Sequence, residues 1–530
     1  MPSLPQLPRA LTRPISYLVV IVWVAVMTTL VGRSYARPAA LATDLARYGS
    51  QAVWRGVYYR GEKIGFTVSQ TIPRGDGFEL QEDGRLQMSL FGATTSTAIQ
   101  TSARVNRDFQ LQAFDFSLDP GTGPIKVHGD VEAKRLILAV TTSAGVRVEQ
   151  RDLIDRPELT LNMSRRLASG GLVAGRRHQW MLFDPATLRN APVTLDVGKR
   201  EIVRVGTTPV PAFRVSMEFS GIQTTAWITD TGEVVREESP MGLITVKETA
   251  DRAQAMAVPA NIQSDLYEAA AIVPVGRQRI DDPRDVRRLR VRLEGGELGD
   301  PDLDGGSQRV AGNVFEMLDP ESLRPGPRDG SAARYLEPEA FIESDDPGIR
   351  AEAERAVRGS TSPRVRAERL TRYVNQMLEK KPTISLPSAR EVLRTKVGDC
   401  NEHTALYVAM ARASGIPARI AVGLVYLRGA FYYHAWPEVY LEEPTGGLWL
   451  PVDPTLNEFP ADATHLRLAR GGLEKQAAIL PLVGKLKMTV LDLEVAPNST
   501  PIIVGRQPAP ALDALQLPVP RRQTSCCVCP

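Results

Sequence analysis

From Trp54 to about Ala250 the chain alternates apolar and polar residues with a period of two, one segment after another. Leu86-Gln-Met-Ser-Leu90, Leu136-Ile-Leu-Ala-Val-Thr-Thr142 and Phe213-Arg-Val-Ser-Met-Glu-Phe219 all read this way. That period sends successive side chains to opposite faces of a strand. Turn residues punctuate the runs: Trp54 to Val68 reverses at Arg60-Gly61-Glu62, and Asp230-Thr231-Gly232-Glu233 separates Thr224–Ile228 from Val234–Arg236. Short strands joined by such turns predict hairpins. Residues 50–255 are therefore expected to form a large antiparallel domain, curved or sandwich-like, with one face on a core. Leu159 to Leu167 reads as a short helix within it. The domain suits a spacer or substrate platform better than a second enzyme.

Ahead of it, Ile15 to Gly32 is an almost unbroken apolar run without a charge, near the roughly 18–20 residues that span a bilayer. Arg9 and Arg13 precede the run and Arg33 and Arg37 follow it, so the basic residues do not settle its orientation. Residues 1–36 are expected to be a cytoplasmic N-terminus and a transmembrane signal anchor, or a signal peptide cut after Ser34-Tyr35-Ala36. The length of the run and Pro38 favour retention. Either way the bulk of the chain is exported, in a bacterial cell to the periplasm, with the inner membrane as its partner through this helix.

Beyond the β region the pattern changes. Residues 256–347 read as a linker or mixed β region in which Val286 to Leu293 is a strand. Asp300-Pro-Asp302-Leu-Asp304-Gly305 copies the start of a calcium loop, but Ala311 stands at the twelfth position, where a bidentate glutamate is required; an acidic turn is the better reading. Arg350 to Leu378 is helical in period. Residues 496–530 are rich in proline and expected to be disordered.

The chain has four cysteines, and three of them, Cys526, Cys527 and Cys529, crowd its last five residues. Three thiols without a fourth ligand make a poor zinc site. Cys400 stands alone in the body of the chain, where it is a candidate nucleophile. Gly398-Asp399 is a turn signal. Cys400 then opens an apolar-periodic run through Ala405, Leu406, Val408, Ala409 and Ala411 that stops at Ser414-Gly415-Ile416-Pro417. A thiol at a helix N-terminus is expected to have its thiolate favoured by the dipole. Ala418–Tyr426, Phe431–Leu441 and Leu448–Asp453 read as three strands, which carry His434 and Asp453. Pro437 cannot donate to a ladder, so the His434 strand is locally an edge or bulged. Cysteine, histidine and aspartate are the set that attack on amides requires: a thiolate, an imidazole that generates it and a carboxylate that orients the imidazole.

These segments, Gly-Asp-Cys-Asn-Glu-His-Thr, Ala-Arg-Ala-Ser-Gly-Ile-Pro-Ala-Arg, His-Ala-Trp-Pro-Glu-Val-Tyr and Pro-Val-Asp-Pro-Thr, resemble those of the transglutaminase-like superfamily, relatives of papain-type proteases. The β region loosely resembles the N-terminal parts of bacterial envelope proteins that carry such a domain. The resemblance implies an α+β domain over residues 348–495, with a helix-borne cysteine packed on an antiparallel sheet. It implies Cys400 as nucleophile, His434 as general base and then acid, and Asp453 as orienter. The backbone N–H of Cys400 is the default oxyanion donor.

The other polar residues have plainer readings. His403 could approach the thiol, but the i,i+3 geometry leaves no room for a substrate. Glu402 and Glu438 suit structural hydrogen bonds, and Trp436 suits core or pocket wall alike. His128, His178 and His465 show no partners and read as surface or core. No two histidines and a carboxylate fall at metal-ligand spacing, so neither metal nor cofactor is expected. A net charge of +3 on 530 residues, without a basic stripe, gives no footing for nucleic acid. The expected function is thioester-forming acyl transfer on protein or peptide amides, by hydrolysis or transamidation. The alternative is a non-catalytic envelope scaffold on the same fold.

Overall fold

The structure, a computed structural model, describes Tyr48, Gly49 and most of residues 51–503; the longer breaks fall at 256–269, 297–302, 382–387 and 472–478. The apolar run at 15–32, Asp300, Asp302 and the cysteines of the tail lie outside the described residues. Among the described residues no helix is long and apolar enough to cross a membrane.

The protein is mostly β. The alternating region forms one 15-stranded sheet, a meander of two arms joined where Val53–Tyr59 pairs antiparallel with Leu243–Glu248. One arm runs out to Gly145–Asp152 and the other to Arg177–Asp184 and the two-residue strand Pro157–Glu158. The sheet is curved enough for its arms to meet: Phe114 on one packs against Phe183 on the other, ring centroids 5.4 Å apart. The turn at 230–233 closes with Gly232 at φ +80°, a conformation glycine adopts without a Cβ penalty. The helix read at 159–167 forms at Thr160–Ser169 and buries Met163 and Leu167 against Leu182 and Val193.

Within residues 286–318, part of the linker or mixed β region, three strands form, Val286–Glu294, Gln308–Ala311 and Val314–Leu318. Along Val286–Glu294, Val286, Leu289, Val291 and Leu293 are buried and arginines alternate with them. The strand pairs with Val314–Leu318 on one side and Lys487–Val495 on the other. Its core is continuous with that around Cys400. Asp304 accepts from the N–H of Val310 at 2.9 Å, closing a turn. Ile502 and Ile503, within the stretch expected to be disordered, pair with Gln278–Arg279.

Four helices and a four-stranded antiparallel sheet build the region that holds the site. The helices are α1 (Pro347–Val357), α2 (Pro363–Met377), α3 (Ala389–Thr395) and α4 (Cys400–Ala413). The strands are β1 (Ala418–Leu427), β2 (Ala430–Glu443), β3 (Gly446–Pro451) and β4 (Leu466–Gly471), in the order β3-β2-β1-β4. α4 is buried along nearly its whole length, enclosed by the other three helices and the sheet. Gly415, at φ +77°, ends it, and the Ile416 N–H returns to the Ala411 carbonyl at 2.9 Å. Phe341 of this region inserts into the core of the large sheet.

Candidate active site

The start of α4 is fixed by a reciprocal cap. Asp399 accepts from the N–H of Asn401 at 2.9 Å, and Glu402 folds back to accept from the N–H of Asp399 at 2.8 Å. Glu402 lies so close over Gly398 that a Cβ there would sit 2.2 Å from the glutamate Cβ, which explains the glycine. Cys400 thereby becomes the first residue of the helix.

Strand β2 brings up the other half. β3 pairs with it only from Glu438 to Glu443, and an isolated bridge joins Phe431 to Ile272. Between those points the strand has no ladder partner on that side among the described residues, so it is interior to the sheet at one end and an edge beside Pro437. α4 takes up the free groups there: Thr404 donates to the Ala435 carbonyl at 3.1 Å, and a backbone hydrogen bond from Ala435 reaches the Cys400 thiol. The sulfur is thus set against the residue that follows His434. Cys400 and His434 are each 9% exposed.

Asp453 does not lie on a strand. It follows β3 in a tight loop, its backbone bonded both ways to Glu458 at 2.9 and 2.8 Å. One carboxylate oxygen accepts from the N–H groups of Thr455 and Leu456 at 2.7 and 2.9 Å. The other meets Nε2 of His434 at 2.6 Å. Burial pushes this carboxyl up, but the charge and hydrogen bond of His434, joined by those of His465, outweigh it and hold Asp453 well below the usual carboxylate range. It is ionised throughout the neutral range.

The thiol departs from expectation. Burial pushes Cys400 well above its ordinary value, the charges of Asp399, Glu402 and Asp453 add to this, and the Ala435 hydrogen bond only opposes them. The resting thiol is therefore neutral at pH 7, because desolvation outweighs the pull of a helix N-terminus.

The remaining histidines fall into place. Nδ1 of His403 is engaged by the Asp399 carbonyl at 2.7 Å, which removes that nitrogen as a base. His128 is not partnerless: it bridges Asp115 and Asp130 at 2.8 and 3.0 Å on the outside of the large sheet. The residue that the sequence reading missed is His465, just ahead of β4. Its Nε2 lies 3.2 Å from the same Asp453 oxygen that holds His434. Its Nδ1 lies 3.2 Å from Asp462 Oδ1. Trp436 packs against both imidazoles, stacked on His434 at 6.1 Å and edge-on to His465 at 5.1 Å. No sequence spacing announced this, since Asp453 and His465 are brought together by a loop of irregular backbone. His434, Asp453 and His465 do meet at one point, yet 2.6 Å is a hydrogen-bond separation, shorter than the roughly 3.3 Å between ligand atoms around a tetrahedral zinc.

Behind the site Glu438, four residues after His434, accepts from Arg419 at 2.8 Å and also from Arg467, tying β2 to β1 and β4. Arg419 in turn lies 3.8 Å over the Trp449 ring.

Residues 350–454 match the family model of the transglutaminase-like superfamily, and this stretch is a transglutaminase-like domain. Among solved structures, the chain is similar to the periplasmic domain of TgpA from Pseudomonas aeruginosa at 21% identity, covering 34% of this chain and 76% of that one, with a TM-score of 0.25. A candidate cysteine protease from Cytophaga hutchinsonii is similar at 17% identity over 42% of this chain and 89% of that one, TM-score 0.26. A β-barrel-like protein of unknown function from Brucella abortus is similar at 11% identity over 37% of this chain and 96% of that one, TM-score 0.31. No curated protein matches the chain.

Proposed function

We propose that the transglutaminase-like domain is a cysteine-dependent acyl-transfer enzyme acting on protein or peptide amides, with Cys400, His434 and Asp453 as its catalytic residues. The observation that carries this is the buried 2.6 Å hydrogen bond between His434 and Asp453, beside a strand edge on which the Cys400 thiol rests. With Nε2 committed to Asp453, Nδ1 is the nitrogen left to accept the thiol proton. As that proton leaves, Sγ attacks the amide carbonyl carbon, and the oxygen takes the charge in reach of the Cys400 N–H. The imidazolium then protonates the departing amine, leaving a thioester on Cys400. Water or a primary amine attacks the thioester next; His434 takes a proton from it and returns one to sulfur, so hydrolysis and transamidation share one cycle. A neutral resting thiol suits this route, in which the base acts during attack. The apolar run at 15–32 would anchor the chain in a bacterial inner membrane, with the domain in the periplasm and envelope proteins or peptides as its substrates.

The test is to incubate the full chain with dimethylcasein and a fluorescent primary amine. Amine incorporation marks a transamidase; ammonia or new peptide ends without incorporation mark a hydrolase. Either must vanish in Cys400→Ala while the circular dichroism spectrum stays native. Turnover that survives in that variant overturns the proposal. The burial of the thiol favours one other reading, a scaffold that uses the fold as a docking surface. In that case Cys400→Ala would leave the phenotype of the cell unchanged.

A further inference from the structure

His465 has no place in the cycle just described, and its side chain is only 1% exposed, so it touches no substrate. Its surroundings nevertheless specify its charge. Nε2 faces an Asp453 oxygen, and Nδ1 faces both the Asp462 carboxylate and the Asp462 backbone carbonyl at 3.3 Å. Asp453 accepts from Thr455, Leu456 and His434 besides, and the charge and hydrogen bond of His434 keep it ionised. Every partner of the His465 ring is thus an acceptor, so both ring nitrogens must carry a proton. Glu458 adds a further nearby carboxyl, and His434 and Trp436 of β2 complete the surroundings. Burial works against the charge, and the two aspartates and Glu458 outweigh it.

We infer that His465 is a positioning residue of this site: a permanent imidazolium, clamped between Asp453 and Asp462, that fixes the carboxylate orienting His434 and sets the pH at which the site becomes reactive. The inference rests on the proposed Cys400–His434–Asp453 chemistry. Its physical content is charge sharing. An Asp453 carboxylate held by two imidazoles gives each less stabilisation than it would give one alone, and the His465 charge favours loss of a proton from everything around it. Removing the charge should therefore move the reactivity of the site to higher pH. This holds whether the limb of the profile reports the imidazole or the thiol. The His434 and His465 ring centroids lie 6.1 Å apart. At that distance and an effective dielectric constant near 20, the expected displacement is on the order of one to two pH units.

The experiment is the pH profile, from 5 to 10, of iodoacetamide alkylation of Cys400 in the full chain. Mass spectrometry of the Cys400 peptide keeps it apart from the tail thiols. Wild type, His434→Ala, His465→Gln and Asp462→Asn would be compared. Glutamine can still donate to Asp453 without the charge, and asparagine at 462 keeps the loop hydrogen bonds through Oδ1 while it frees the imidazole. The expected result is an acid limb displaced upward by about one unit or more in His465→Gln, and not upward in Asp462→Asn, where an anion is lost and the imidazolium stays on Asp453. A His465→Gln profile that overlays the wild type, or that is lowered equally at every pH, would make His465 purely structural and overturn the inference. If His465→Gln does not fold, His465→Asn, which also removes the charge, decides alone by the same criterion. A wild-type profile that His434→Ala leaves unchanged would instead sink the underlying triad.

Discussion

Glu438→Gln offers a quantitative test of how the site is held. The substitution keeps the shape of the side chain but removes the charge that Arg419 and Arg467 share, leaving two guanidiniums buried with no carboxylate. Losing one partner of a buried ion pair typically costs about 3–5 kcal/mol. An independent figure comes from titration. Burial pushes the Glu438 carboxyl up, but Arg467, Arg419 and Arg470 carry it from 4.5 down to about 2. At about 1.36 kcal/mol per pKa unit, this corresponds to roughly 3 kcal/mol of stability. Arg467 is itself pushed down by burial and by the neighbouring guanidiniums, against the pull of Glu438. It remains charged at neutral pH, so the pair is ionic. A carboxyl whose folded value lies below its unfolded one stabilises above pH 4.5 and ceases to as the pH falls toward 2. Guanidinium unfolding of wild type and Glu438→Gln, followed by pulsed hydrogen exchange over residues 418–471, should differ by about 3 kcal/mol at pH 7. The difference should shrink steadily below pH 4.5. A gap under about 1 kcal/mol, or one that persists unchanged at pH 3, would refute the reasoning.

Other outcomes rest on the same contacts. Thr404→Val leaves the Ala435 carbonyl buried without its donor; it should cost about 1–3 kcal/mol in thermal or denaturant unfolding and loosen the strand edge beside Cys400. Gly398→Ala should displace Glu402 and dismantle the cap of α4, lowering stability by at least ~1 kcal/mol, measurable as a lower Tm. Glu458 has its carboxyl raised to about 7, chiefly by burial, so the stability it lends is complete below pH 4.5 and is lost as the pH climbs through 7. Glu458→Gln should therefore be more stable than wild type at pH 8, by up to roughly 3 kcal/mol, and indistinguishable from it at pH 4.

The parts of this molecule that derive from local chemistry were legible in the sequence. Helix α4 starts at Cys400 because Gly398, Asp399 and Glu402 are a cap in sequence and in space. The edge character of β2 beside Pro437 comes from an imide that cannot donate. The large sheet comes from a period of two, although neither its curvature nor the contact of Phe114 with Phe183 is written in any one strand. What was not legible depended on long-range approach. His465 reads as an isolated histidine until the loop 453–462 folds Asp453 back toward it. Burial of the thiol was equally hidden, because the helix dipole is a property of α4 alone and desolvation is a property of everything packed around it. For the same reason Val286–Glu294 reads as a strand without a partner, although it pairs with residues almost two hundred positions later.

The central claim is that Cys400, His434 and Asp453 work as one unit. Its most direct measurement is the alkylation rate of Cys400 at pH 8 in the native full chain, beside His434→Ala and Asp453→Ala. The account predicts a rate that falls by at least about tenfold in both variants, with neither loss adding to the other in the double variant, because the residues act in series. Equal rates in all four proteins would mean an inert buried thiol and would contradict the account.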